Sequence, residues 1–195
     1  ESFCNYLFYQ PKELWQYEAA LFCCDRNEIK AYMLRRLKPG LGGGKTIFVT
    51  VDEVASAHIK ELAAVYPVLN ADKAKDADMR FCRFIEGVFD KRIVSSVFLT
   101  GEGFENNWYP TSLRVLCNGR RAFIGNNLYS KGACYTAYRK MFMHIEDPVY
   151  LSEDKLTDQI TVNMRVNGQE MWYPIVSWGS HWYESNNQWE VLLED

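Results

Sequence analysis

The hydrophobic pattern of the first half of the chain changes period twice. Tyr17 to Cys24 is an apolar run, and Asp25-Arg26-Asn27 ends it as a polar turn. Glu28 to Leu37 then alternates in part, with Ile29, Ala31, Met33 and Arg35 on one side and Lys30, Tyr32, Leu34 and Arg36 on the other. Thr46 to Val51 is rich in β-branched residues. Strands joined by such short connections predict an antiparallel meander over residues 17–51. The spacing next becomes helical, at Val54, His58, Ile59, Leu62 and Val65. Thr50-Val51-Asp52-Glu53 has capping-box form at its start, and Pro67 stops it. A second helix is predicted from about Asp72 to Asp90, with Ala77, Phe81, Phe84, Ile85, Val88 and Phe89 facing inward.

Val94 to Thr100 is apolar without alternation, as expected of a central parallel strand covered on both faces. It stops at Gly101-Glu102-Gly103-Phe104. Pro110 near the first turn and Gly119 near the end frame a short helix. Ala122-Phe123-Ile124 is a short strand, and Asn126 or Asn127 can cap a helix running to about Met143. The predicted order is β-β-β-α-α-β-α-β-α, an α/β arrangement. After Pro148 the style changes. Thr157 to Val166 alternates, Asn167-Gly168 signals a hairpin turn, and Gln169 to Ser177 and Gln188 to Leu193 read as further strands. A boundary near residues 145–152 divides an α/β domain over 1–146 from a small β-rich module over 147–195.

Composition narrows the function classes. A net charge of −3 leaves no basic footprint for nucleic acid. No apolar run approaches the ~20 residues that cross a bilayer. The six cysteines, at 4, 23, 24, 82, 117 and 134, form no C-x-x-C pair, and His58, His144 and His181 lack metal-ligand spacing. Reduced, mostly buried thiols in a cytoplasmic protein are the expectation. The N-terminus has no initiator Met, which suggests a fragment of a longer protein.

The stretch Gly40-Leu41-Gly42-Gly43-Gly44-Lys45-Thr46 approaches the P-loop pattern, but the first glycine of that pattern would fall on Pro39. A P-loop also opens a helix, whereas this stretch leads into the strand Ile47 to Val51. A flexible connection between strands is the better reading. The Gly101-Glu102-Gly103 turn is better placed, because open α/β sheets bind ligands at the carboxyl ends of their strands. The competing reading is a turn that needs glycine for its backbone alone. Asp25, Asp52 and Glu53 are carboxylates at turns, where caps and solvated residues are common. No Ser/His/Asp or Cys/His arrangement can be singled out. The aromatic His181-Trp182-Tyr183-Glu184 stretch reads either as packing between strands or as a surface for a partner.

Three meandering strands, then helices, a strand ending in Thr-Gly-x-Gly, a helix, a short strand and an Asn-…-Lys-Gly-Ala helix resemble the second half of the actin-like ATPase fold. This is the ribonuclease-H-like fold of actin and DnaK-type chaperones. More narrowly, Phe98 to Phe104, Leu113 to Arg121 and Asn126 to Tyr135 resemble an uncharacterised bacterial family with a DnaK-like domain. The resemblance implies an adenosine contact at Gly101, Glu102, Gly103 and Phe104. It also implies a phosphate hairpin at Phe22 to Asn27, normally Asp-x-Gly-Gly. Here that hairpin is degenerate: it has no glycine, and Cys23 stands for the aspartate beside Asp25. No catalytic or metal-binding residue is therefore assigned. The implied ligand is ATP or ADP with Mg²⁺ in a full-length protein, with none expected on this fragment, because one lobe cannot close on ATP. The implied function is a nucleotide-binding or degenerate ATPase lobe coupled to the β-module. The alternative is a non-enzymatic scaffold that holds another protein or a peptide through its aromatic β-module, with no role for nucleic acid or membrane.

Overall fold

The computed structural model describes residues 1–37, 46–64, 70–143 and 148–183. The glycine-rich stretch at 40–45, Val65, Pro67, His144 and the expected strand at 188–193 lie outside the described residues. The contacts divide the chain into two units, one of Glu1–Arg36 with Val49–Glu146, the other of Leu37–Phe48 with Asp147–Asp195. Among the described residues no helix is long and apolar enough to cross a membrane.

The first unit is α/β. Its strands β1 (Glu18–Asp25), β2 (Glu28–Leu37), β3 (Phe48–His58), β4 (Val94–Thr100) and β5 (Arg121–Ile124) lie in the order β5-β4-β1-β2-β3. β1 runs antiparallel to β2 and parallel to β4, and β4 runs parallel to β5. Helices α1 (Ser2–Phe8), α2 (Ala71–Phe89), α3 (Pro110–Leu116) and α4 (Leu128–Phe142) complete it. The near-continuous burial of β1 and β4 is explained by cover on both faces. On one face Ala20, Phe22, Cys24, Met33, Val97 and Leu99 pack with Ala77, Phe81, Ile85 and Val88 of α2. On the other, Phe98 meets Phe3 and Tyr6 of α1 edge-on and stacks on Phe123 at 5.1 Å. α1 lies against α4 so closely that a Cβ on Gly132 would overlap the Ser2 carbonyl. Gly132 is thus a packing glycine.

The meander, α2, β4, α3, β5 and α4 follow the sequence reading closely, and two elements depart from it. The expected helix after Val51 is the continuation of β3 to His58, and only Lys60–Ala64 forms a 3-10 turn. The Thr50 hydroxyl donates to Asp52 at 3.2 Å within the strand, so the capping box does not form. Pairing beside β2 overrides the helical spacing of Val54 and His58. The short apolar N-terminal segment forms α1, which no periodicity long enough to read had announced.

One buried carboxylate joins two helices. Asp78 of α2, 3% exposed, accepts from the Thr111 N–H at 2.7 Å, the Ser112 N–H at 2.8 Å and the Ser112 hydroxyl at 2.6 Å. It thereby satisfies amide donors that the first turn of α3 cannot pair within the helix. Burial alone would raise the Asp78 carboxyl, but the bonds from Ser112 and Thr111 outweigh it and hold it below its ordinary value.

The second unit is β-rich. Its strands are β6 (Val149–Tyr150), β7 (Ile160–Val166) and β8 (Gln169–Val176). The Val149 N–H donates to the Ile47 carbonyl at 2.8 Å. β7 and β8 form an antiparallel hairpin whose turn, Asn167 at φ 53° and Gly168 at φ 81°, has the left-handed backbone that Asn-Gly favours. Phe48 and Trp178 pack at 5.3 Å between ring centres.

Asp78→Ala should lower the unfolding free energy by ~2–4 kcal/mol at neutral pH, measured by urea melts. A carboxyl with a depressed folded pKa stabilises fully above its unfolded value, ~3.9, and loses that contribution as pH falls through the folded value. The penalty of the substitution should therefore shrink in melts run below that window.

Candidate functional site

The carboxyl ends of β1 and β4 lie side by side, with Cys23 in register with Thr100. Past Thr100 the chain turns at Gly101, whose φ of 100° and ψ of 155° disfavour any L side chain. A Cβ at Gly101 would overlap the Cys24 carbonyl oxygen, and one at Gly103 would overlap the Cys24 sulfur. Both glycines are therefore required by the close approach of β1. Cys24 itself is wholly buried, and burial, then Cys23 and Asp25, push its thiol up to about 12. It is a neutral packing group.

The predicted adenosine residues separate accordingly. Gly101 and Glu102 lie on the surface, while Gly103 and Phe104 are buried. Phe104 packs on Phe81 at 5.4 Å and is stacked with Trp108 at 6.3 Å. The Trp108 indole N–H donates to the Gly103 carbonyl at 2.6 Å, which closes the turn over the core. The phenyl ring of Phe104 is thus part of the interior.

The hairpin residues also diverge. Asp25 is exposed and paired with Glu28, so the turn contains only Arg26, at φ 54°, and Asn27. The Asn27 carbonyl accepts from the Ile59 N–H at 2.8 Å, and its amide nitrogen lies 3.1 Å from His58 Nε2. This loop is tied to the end of β3. Cys23 is half-buried and points to the opposite face from Cys24. Beside it, the hydroxyls of Thr100 and Tyr129 lie 3.4 Å apart. Burial raises the Tyr129 phenol, and the Thr100 bond opposes that rise. Among the described residues no group of three or more His, Cys, Asp or Glu could hold a metal ion.

Sequence reading missed two polar arrangements. Asp78 stands one position beyond Ala77, within the inward stripe of α2, and an acid there signals a buried acceptor. In the second unit, Ser152 donates to Asp154, and His181 Nδ1 lies 2.8 Å from the other Asp154 oxygen. The Asp154 carboxyl is held below its ordinary value, first by Ser152. Both partners converge on the carboxylate, so no imidazole stands ready to take the serine proton. With the Trp182 N–H donating to the Asp154 carbonyl at 3.1 Å, the grouping ties two loops together. The tryptophans differ: Trp172 and Trp182 are 67% and 63% exposed, whereas Trp178 is half-buried.

Residues 1–153 match the family of unknown function (DUF5716) C-terminal. Residues 155–195 match a domain of unknown function (DUF8552). No curated protein matches the chain.

Gly101→Ala should destabilise the fold by ~2–4 kcal/mol in denaturant melts, because it adds a strained φ to an overlap with backbone. A glycine kept for ligand contact alone would tolerate alanine in the ligand-free protein.

Proposed function

The chain belongs to the family of unknown function (DUF5716) C-terminal, and we propose that it is a non-hydrolysing relative of an actin- or DnaK-type ATPase lobe, used as a protein-interaction scaffold. The strand order β5-β4-β1-β2-β3, with a meander at one end and parallel strands at the other, supports the relationship. One observation carries the loss of phosphoryl chemistry. Cys24 fills the space beside both glycines, and the β1–β2 turn closes over Arg26 and Asn27 without a glycine. Phosphoryl transfer needs amides turned toward the phosphates and a carboxylate to hold Mg²⁺. Here the hairpin is instead bonded to Ile59 and His58.

The contact surface in this reading is the β-module. Trp172 and Trp182 present large exposed rings, a residue type enriched where proteins meet. All six cysteines are free, which fits work in the reducing cytoplasm. A second reading keeps a weak ATP or ADP contact at Gly101 and Glu102. The adjacent Thr100–Tyr129 hydroxyl pair at the strand ends favours it.

Calorimetric titration of the chain with ATP and ADP, each with Mg²⁺ to millimolar concentration, separates the two. The scaffold reading expects no saturable binding, and stoichiometric binding would overturn it. Trp172→Ala combined with Trp182→Ala should abolish capture of bound proteins in pull-downs. Capture that survives both changes places the contact elsewhere.

A further inference from the structure

We propose that the open edge of β5 is a docking site for an extended, acidic and apolar segment of another polypeptide, added to the sheet as a further strand. This surface belongs to the first unit. β5 is the terminal strand of its sheet and is bonded on one side to β4. Among the described residues no element pairs with the other side of Arg121–Ile124. Such an edge presents unpaired N–H and C=O groups at strand spacing, which is the template that an incoming strand recognises.

A cavity of about 310 Å³ opens beside that edge, lined by Leu99, Tyr109, Pro110, Leu113, Ala122 and Ile124 among others. Its walls are mostly apolar. Leu113 and Ile124 remain 42% and 62% exposed, far more than the core side chains behind them. The volume suits one or two aliphatic or aromatic side chains.

Charge identifies the kind of segment. Arg114 follows Leu113 on α3, and Arg121 opens β5. Both are exposed, and neither forms an ion pair among the described residues. Along β5 the side chains alternate between faces. Phe123 stacks on Phe98, so Arg121 shares that face, while Ala122 and Ile124 share the other. A strand laid beside β5 would therefore turn alternate residues toward the apolar Ala122–Ile124 face. Its intervening residues would pass Arg121, where a carboxylate gains a charge-assisted hydrogen bond. An alternating acidic and apolar sequence satisfies both faces at once.

The probe is a fluorescein-labelled ten-residue peptide of alternating glutamate and leucine, followed by fluorescence anisotropy. Its control has lysine in place of glutamate. Saturable binding of the glutamate peptide is expected, with at least tenfold weaker binding of the lysine peptide. Arg114→Glu combined with Arg121→Glu should reverse that preference. Both arginines are exposed, and a thermal melt checks that the variant is folded. Hydrogen exchange gives a second readout that needs no substitution: the amides of Arg121 to Ile124 should gain protection when the glutamate peptide is added. The proposal is overturned by equal binding of the two peptides, by a charge-reversed variant that retains the original preference, or by unchanged exchange at β5 in the presence of saturating peptide.

Discussion

Cys24 meets the Gly101–Gly103 turn so closely that neither glycine can carry a side chain. This contact follows from the parallel register of β1 and β4, which brings the two carboxyl ends level. It sets the course of the chain from β4 into α3. With the turn held down on Cys24, Phe104 enters the core beside Phe81, and Trp108 closes over it with its indole bonded to Gly103. The start of α3 then falls where Asp78 can cap it. At the carboxyl end of this parallel strand pair, where an α/β sheet ordinarily leaves room for a ligand, Cys24 takes the space beside Gly101 and Gly103.

The cover on the sheet is uneven across its width. β1 is buried on both faces and paired on both sides, whereas β5 is paired on one side and ends in the exposed Ile124. The two units also hold themselves together by different means. The first relies on apolar layers and one buried carboxylate. The second joins a hairpin with exposed faces to a small cluster around Phe48 and Trp178, and ties its loops through Asp154. Two strands alone are marginal in water, so such a module depends on those ties.

Much of the fold was legible because burial leaves strong patterns. The lack of alternation in β1 and β4, the inward stripe of α2 and the Asn167-Gly168 turn each report a local requirement. β3 was misread beyond Val51 because Val54 and His58 fit a helical period as well as a strand, and only pairing beside β2 decides between them. The site was less legible. A glycine turn announces an unusual backbone, but Cys24 lies far from Gly103 in sequence, so the reason for the glycines is a tertiary contact. The resemblance implies an adenosine contact at Phe104, and the burial of its ring is likewise a tertiary matter. Its neighbours Phe81 and Trp108 come from different elements, and no local pattern reveals them. Asp78 within the apolar stripe of α2 signals a buried acceptor, but the donors it accepts from, the amides of Thr111 and Ser112, are brought to it only by the fold.

A double-mutant cycle between Gly103 and Cys24 tests directly whether the glycines serve the fold. Gly103→Ala places a Cβ against the Cys24 sulfur, while Cys24→Ala removes that sulfur. Gly103→Ala is expected to be strongly destabilising in urea melts, and adding Cys24→Ala to recover at least half of the loss. The coupling should be ~1–3 kcal/mol. Strictly additive losses, or a Gly103→Ala protein as stable as the original, would contradict it.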